Sequence, residues 1–224
     1  FEKIVHTGDL VYPTGTYESY EKFYFDFYRQ MMTEVPFFPC PGNHDYYEYH
    51  CAPYREVHSL PTDGVSQADS ARYYSYDWGN IHFISLDSND SLVEAAAGRG
   101  KMLEWLEADL QKTDKYWRIV YIHHPAYSGG IHTDETECRL VRNYVAPILD
   151  KYAVPLVLNG HEHSYQRSYT IKGGRVAGKG DGTLYITTGG GGATLHPVFS
   201  SPFVEVAESR YHYVVCDVTE ASAQ

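Results

Sequence analysis

The sequence predicts an α/β protein in which sheets are sandwiched between helices. Two observations carry that expectation. Apolar strand-like runs alternate with amphipathic helical stretches early in the chain, and strands dominate the rest. Several of these runs stop at loops rich in Gly, Asn, Asp and His, the pattern of strands whose carboxyl ends meet at one crevice. Neither an internal repeat nor a linker interrupts the pattern, so residues 1–224 are expected to form one domain.

The elements follow in order. Ile4 and Val5 lead into Gly8-Asp9, a strand ending in a turn. Residues 16–33 read as a helix, with Tyr20, Phe23, Tyr24, Phe27 and Met31 at helical spacing and Thr16, followed by Ser19, as an N-cap signal. Residues 35–39 form a short apolar strand that runs into a loop at 41–45. Residues 46–70 are expected to be irregular, punctuated by Pro53, Pro61 and Gly64. Residues 72–77 and 81–87 read as strands joined in a hairpin at Trp78-Gly79-Asn80. Residues 101–112 are an amphipathic helix, with Met102, Leu103, Leu106 and Leu110 on one stripe. Residues 117–123 are a near-continuous apolar strand of the kind buried on both faces. A helix at 138–152 turns Val141, Tyr144, Val145, Ile148 and Leu149 inward, and the buried strand 154–158 ends at Asn159-Gly160-His161. Further β runs are expected at 168–171, 183–188 and 211–218, with a glycine-rich turn at 189–192.

Composition narrows the function. The formal net charge of -11 argues against non-specific nucleic-acid binding, which needs a basic stripe. An acidic protein that handles phosphate needs a strong local positive charge, and bound metal ions can provide one. No apolar run is long enough to span a membrane. None of Cys40, Cys51, Cys138 and Cys216 forms a CxxC pair; Cys40 and Cys51 are either bridged or free buried thiols. Asn89-Asp90-Ser91 is a glycosylation sequon.

The chemistry-bearing residues fall in four segments: Gly8-Asp9-Leu10-Val11-Tyr12, Gly42-Asn43-His44-Asp45, Val120-Tyr121-Ile122-His123 and Gly160-His161-Glu162-His163. Taken singly, each histidine is an ordinary loop or core residue. Taken in order at successive strand ends, they read as a metal site. The donors are Asp, Asn, His and Tyr without Cys, a set that suits iron, manganese and zinc. A carboxylate such as Asp9 can bridge two cations, which together stabilise a phosphoryl displacement.

These motifs resemble the calcineurin-like metallophosphoesterases, and within them the purple acid phosphatases, whose Gly-Asp-x-x-Tyr motif matches Gly8 to Tyr12. The resemblance implies two mixed β-sheets packed as a sandwich flanked by helices (α/β/β/α), with the first strand missing upstream of Phe1. Residues 1–224 would then be a catalytic domain, incomplete at its N-terminus because an Asp-x-Gly motif is expected there. It implies that Asp9 bridges two metal ions. Tyr12 and His163 would bind the first, Fe(III), and Asn43, His123 and His161 the second, Fe, Zn or Mn. His44 and His132 would be catalytic, facing the substrate. Asp45 stands where purple acid phosphatases usually have Glu. The implied activity is acid hydrolysis of small phosphate monoesters by a metal-activated hydroxide, in a secreted or periplasmic protein. Two alternatives are a phosphodiesterase or nucleotidase on the same fold, and a non-catalytic binding domain if the Asp-x-Gly motif is absent.

Overall fold

The computed structural model describes residues 1–219. Its centre is a seven-stranded mixed sheet in the order β11-β7-β10-β6-β5-β4-β3. These strands are β3 (Tyr74–Trp78), β4 (Ile81–Leu86), β5 (Trp117–Ile122), β6 (Leu156–Asn159), β7 (Tyr165–Ser168), β10 (Leu184–Thr188) and β11 (Val204–Glu208). A second, small sheet pairs β1 (Ile4–His6) with β2 (Phe37–Pro39) in parallel. A minor antiparallel pair joins β8 (Ile171–Lys172) to β9 (Arg175–Val176).

Side-chain alternation along the strands builds the layers. From β4 and β5, Ile84, Leu86, Val120 and Ile122 face one core, against Leu92, Met102, Leu106, Leu110, Val141, Val145 and Leu149 of the covering helices. Their neighbours Ile81, Phe83, Ile119 and Tyr121 face the opposite core, where Val5 and Phe38 of the small sheet pack. Phe37, on the outer face of that sheet, packs with Tyr20, Tyr24 and Tyr54. The order is therefore helices, large sheet, small sheet, helices. β4 is buried at every position, as a strand covered on both faces must be.

The helices are α1 (Tyr17–Ser19, a π-helical stretch Tyr20–Phe25, then Asp26–Met32), α2 (Asn43–Tyr46), α3 (Ala52–Val57), α4 (Asp90–Ala96), α5 (Met102–Lys112) and α6 (Thr136–Leu140, a π-helical stretch Val141–Val145, then Ala146–Lys151). Thr16 caps α1 by accepting the Ser19 N–H at 3.1 Å. The stripe expected on α1 is rotated. Tyr20 and Tyr24 are buried, but Phe23, Phe27 and Met31 are exposed, and Phe25, Tyr28 and Met32 pack inward instead. The π-helical stretch inserts an extra residue into a turn and shifts the inward face by one position. Tyr144 on α6 is likewise exposed, and it too lies in a π-helical stretch.

Other expectations shift locally. The loop at 41–45 closes into the helical turn α2, and the irregular stretch 46–70 contains α3. α4 was not anticipated from the sequence; neither was β11, which pairs with β7, while residues 211–217 carry no regular structure. The hairpin at Gly79-Asn80 forms as expected, with Trp78 opposite Ile81. All four cysteines are free thiols, with Cys40, Cys51 and Cys138 buried and Cys216 exposed. Among the described residues, no helix is long and apolar enough to cross a membrane.

Candidate metal centre

Strands β1 and β2 run parallel to each other, as do β4, β5, β6 and β10. Beyond β1 lies Asp9, beyond β2 Asn43 and His44, beyond β5 His123, and beyond β6 His161 and His163. Cross-links lock these ends together. His123 Nδ1 lies 2.7 Å from Thr7 O, Gly160 N–H donates to His123 O at 3.0 Å, and Asn159 Nδ2 donates to Ile122 O at 2.8 Å. Asp9 and His161 adopt left-handed backbone conformations, with φ of 54° and 65°. For non-glycine residues that is strained, and such strain gathers at functional sites.

Asp45 positions Asp9. It is fully buried and accepts from the N–H groups of Asp9 (3.0 Å), Leu10 (3.3 Å) and Gly42 (2.8 Å) and from the Tyr20 hydroxyl (2.5 Å). Burial and the nearby Asp9 push its carboxyl up to about 7, against these donors. Gly42 leaves room for Asp9: a Cβ there would stand 2.2 Å from Asp9 Oδ1.

The donor atoms converge in two sets that share Asp9. In one, the Tyr12 hydroxyl lies 3.0 Å from Asp9 Oδ2 and 3.0 Å from His163 Nε2. In the other, Asn43 Oδ1 lies 3.0 Å from His123 Nε2 and 3.1 Å from His161 Nδ1, and those two nitrogens are 3.3 Å apart. His123 Nε2 also stands 3.3 Å from Asp9 Oδ2.

The remaining ring nitrogens fix the tautomers. His123 Nδ1 and His163 Nδ1 each face a backbone carbonyl at 2.7 Å, and His161 Nε2 faces Glu135 Oε2 at 2.7 Å. Those acceptors require the protons, so His123 Nε2, His163 Nε2 and His161 Nδ1 present lone pairs inward in the neutral rings. Asn43 Nδ2 donates to the Tyr47 hydroxyl at 2.7 Å, which turns its Oδ1 inward as well. In neutral rings the lone pairs of Asn43, His123 and His161 face one another at about 3 Å, an arrangement that a cation satisfies; in the other set the Tyr12 hydroxyl donates to Asp9 Oδ2. Imidazoles held through their second nitrogen are also the usual support of metal-ligating histidines. The residues present fit metal ions.

The electrostatics are divided at His123: burial lowers its pKa but Asp9 raises it above the ordinary 6.5, so without a cation the ring favours a proton toward Asp9. Burial opposes the charge on Asp9, but His123 and His44 hold its carboxyl well below the usual range. Burial and then His123 push His161 down to about 3, which keeps its Nδ1 free of a proton. Burial and Asp9 push the Tyr12 phenol far up.

A cavity of about 680 Å³ opens over this centre, and Asp9, Asn43, His44, His132, His161 and His163 all line it. His44 Nδ1 is held by Pro13 O at 2.7 Å, and His132 Nδ1 by Glu135 Oε1 at 2.7 Å. His124, Glu135 and His196 also line the cavity and were not among the residues singled out from sequence. The doubled His123-His124, and a carboxylate three residues after His132, were the available signals. Asn89 is buried and its Nδ2 donates to Asp87 Oδ1 at 3.0 Å, so the sequon presents no free acceptor for a glycan.

Metal-competent side chains gathered at the strand ends of this layered fold point to a metallophosphoesterase-like protein, and the family comparison agrees. The family model described as calcineurin-like phosphoesterase matches residues 2–165, and the chain belongs to that family. It is 27% identical over 244 residues to acid phosphatase type 7 of Homo sapiens, covering 95% of this chain and 54% of that one. It is 28% identical over 193 residues to purple acid phosphatase 15 of Arabidopsis thaliana, covering 79% of this chain and 33% of that one. The solved structure of purple acid phosphatase PPD1 from yellow lupin shares the fold, with a TM-score of 0.73 at 21% identity, over 92% of this chain and 40% of that chain. The chain spans about half the length of the curated relatives it matches.

Proposed function

We propose that residues 1–224 act as one catalytic domain that hydrolyses phosphate monoesters at a dinuclear metal centre. The observation that carries this reading is the convergence of two groups of metal-competent side chains on Asp9. In it, Asp9 would be shared by both ions, Tyr12 and His163 would hold the first, and Asn43, His123 and His161 would hold the second. Two cations there supply an ionised water and neutralise phosphoryl charge.

Tyr12 bears on the metal. Burial and Asp9 disfavour its ionised form, and the proposal of a Tyr12-bound Fe(III) at the first position rests on the resemblance to purple acid phosphatases. Iron, zinc or manganese suits the Asn–His–His set.

The other residues handle the substrate. Pro13 O fixes the His44 ring through Nδ1, leaving Nε2 to hydrogen-bond a phosphoryl oxygen or protonate the departing alkoxide. Glu135 holds His132 and His161 together, so the substrate-facing ring and a ligand ring move as a unit. Secretion or a periplasmic location belongs to this proposal through the family resemblance alone.

Asp9→Asn is expected to lose the metal pair and to lower kcat/KM by roughly three orders of magnitude, about 4 kcal/mol. Elemental analysis and phosphomonoester turnover check this. Retention of both ions with full activity would sink the scheme. Tyr12→Phe should remove the broad visible band of an iron-loaded protein.

A further inference from the structure

Glu162 lies between the two histidines of the Gly-His-x-His segment and is fully buried. Its Oε1 accepts the His132 N–H at 2.6 Å, but its buried Oε2 has no hydrogen-bond partner. His196 Nδ1 lies 3.4 Å from it. That nitrogen accepts the His163 N–H at 3.2 Å, so it carries a lone pair and no proton. His196 Nδ1 therefore brings Glu162 Oε2 no proton, and its one lone pair rests on the His163 N–H, a contact that a cation would displace. A ring nitrogen of His132 joins them, and the three ligand atoms lie within 4.8 Å of one another.

The surroundings are built for this cluster. Gly130 stands against the carboxylate, where a Cβ would come within 2.1 Å of Oε2. His196 stacks on His163 at 4.0 Å, and its ring centroid lies 5.0 Å from that of His132. His132 and His196 line the main cavity, so an ion can reach them from solvent.

We propose that His132, Glu162 and His196 form a further divalent-cation site suited to zinc, beside the dinuclear centre and sharing none of its ligands. Two imidazoles and one carboxylate are a donor set of zinc sites that keep an open coordination position. The 3.4 Å separation of His196 Nδ1 and Glu162 Oε2 is that of two corners of a tetrahedron with arms of about 2.1 Å. An ion there adds positive charge to the cavity wall of an acidic chain, where an anionic substrate enters. The assignment does not depend on the proposed hydrolysis.

The test is zinc stoichiometry after equilibrium dialysis against zinc chloride, measured on the whole chain. His196→Gln and Glu162→Gln are each expected to bind one zinc fewer per chain than wild type. Asp9→Asn is expected to lose ions of the dinuclear centre yet keep the ion that His196→Gln removes. Equal zinc in wild type and His196→Gln overturns the site, and Glu162 then carries a proton shared with His196. If instead Asp9→Asn keeps wild-type zinc while His196→Gln loses one, this site stands and the dinuclear reading fails. His196 is only partly buried, so it carries the test should the buried Glu162→Gln variant not fold.

Discussion

Asp45 never meets solvent, yet it decides where Asp9 stands. Three backbone N–H groups and the Tyr20 hydroxyl converge on it, and they hold the left-handed turn that aims Asp9 inward. Asp45→Ala strands those donors in a buried site, where each unsatisfied group is costly. The expected loss is on the order of 3–5 kcal/mol in denaturant unfolding, with cation binding lost as well. Unchanged metal content in a folded variant would show that Asp9 is positioned by other means. At this scale the candidate residues were visible in sequence because Asp9, Asn43 and His161 each follow a glycine, and Tyr12, His123 and His163 stand at fixed steps in the same short segments. His124 and Glu135 left only faint signals, a doubled histidine and a carboxylate three residues after His132, because their proximity to His161 comes from packing between distant segments.

Elements carry two further expectations. In α1 the inward residues Tyr24 and Phe27 of an ideal stripe part company, because the π-helical stretch leaves Tyr24 buried and Phe27 75% exposed. Tyr24→Ala is expected to destabilise by about 3–5 kcal/mol and Phe27→Ser by less than about 0.5 kcal/mol. Comparable losses in thermal unfolding would restore the unbroken helical phase. His82 clasps the β3–β4 hairpin to α5: Asp77 Oδ1 lies 2.7 Å from its Nδ1 and Asp109 Oδ2 lies 2.8 Å from its Nε2. Ser75 also donates to Asp109, and Lys115 lies 3.6 Å from Asp77. Burial works against the charged ring, but hydrogen bonds to Asp109 and Asp77 outweigh it and raise its pKa above the ordinary 6.5. A raised folded pKa means that the clasp stabilises fully below 6.5 and fades as pH rises through the raised value. His82→Asn should remove that fade, worth on the order of 1 kcal/mol because Asp77 is half exposed. Urea midpoints across pH decide it: parallel profiles for both proteins would dismiss the clasp.

Over the whole molecule the net charge of -11 opposes the approach of an anionic substrate. Raising ionic strength from about 0.01 M to about 0.15 M shortens the screening length from about 30 Å to about 8 Å. If the proposed phosphatase reading holds, kcat/KM for a dianionic monoester should rise roughly two- to threefold over that range. A fall would mean that the local positive field of the loaded site governs encounter.

The sequence by itself determined the alternation of strands and helices, the buried character of β5 and β6, and the order of Asp9, Tyr12, Asn43, His123, His161 and His163 along the chain. Those features are local, because period, apolar runs and glycine-flanked motifs register in short windows. Tertiary structure alone decided the inward phase of α1, the pairing of β11 with β7, and the inward lone pairs fixed by Thr7, Thr194 and Glu135. It also decided the orphaned oxygen of Glu162. Each of these depends on partners far apart in the chain, whose meeting is set by sheet order and layer packing rather than by neighbouring residues.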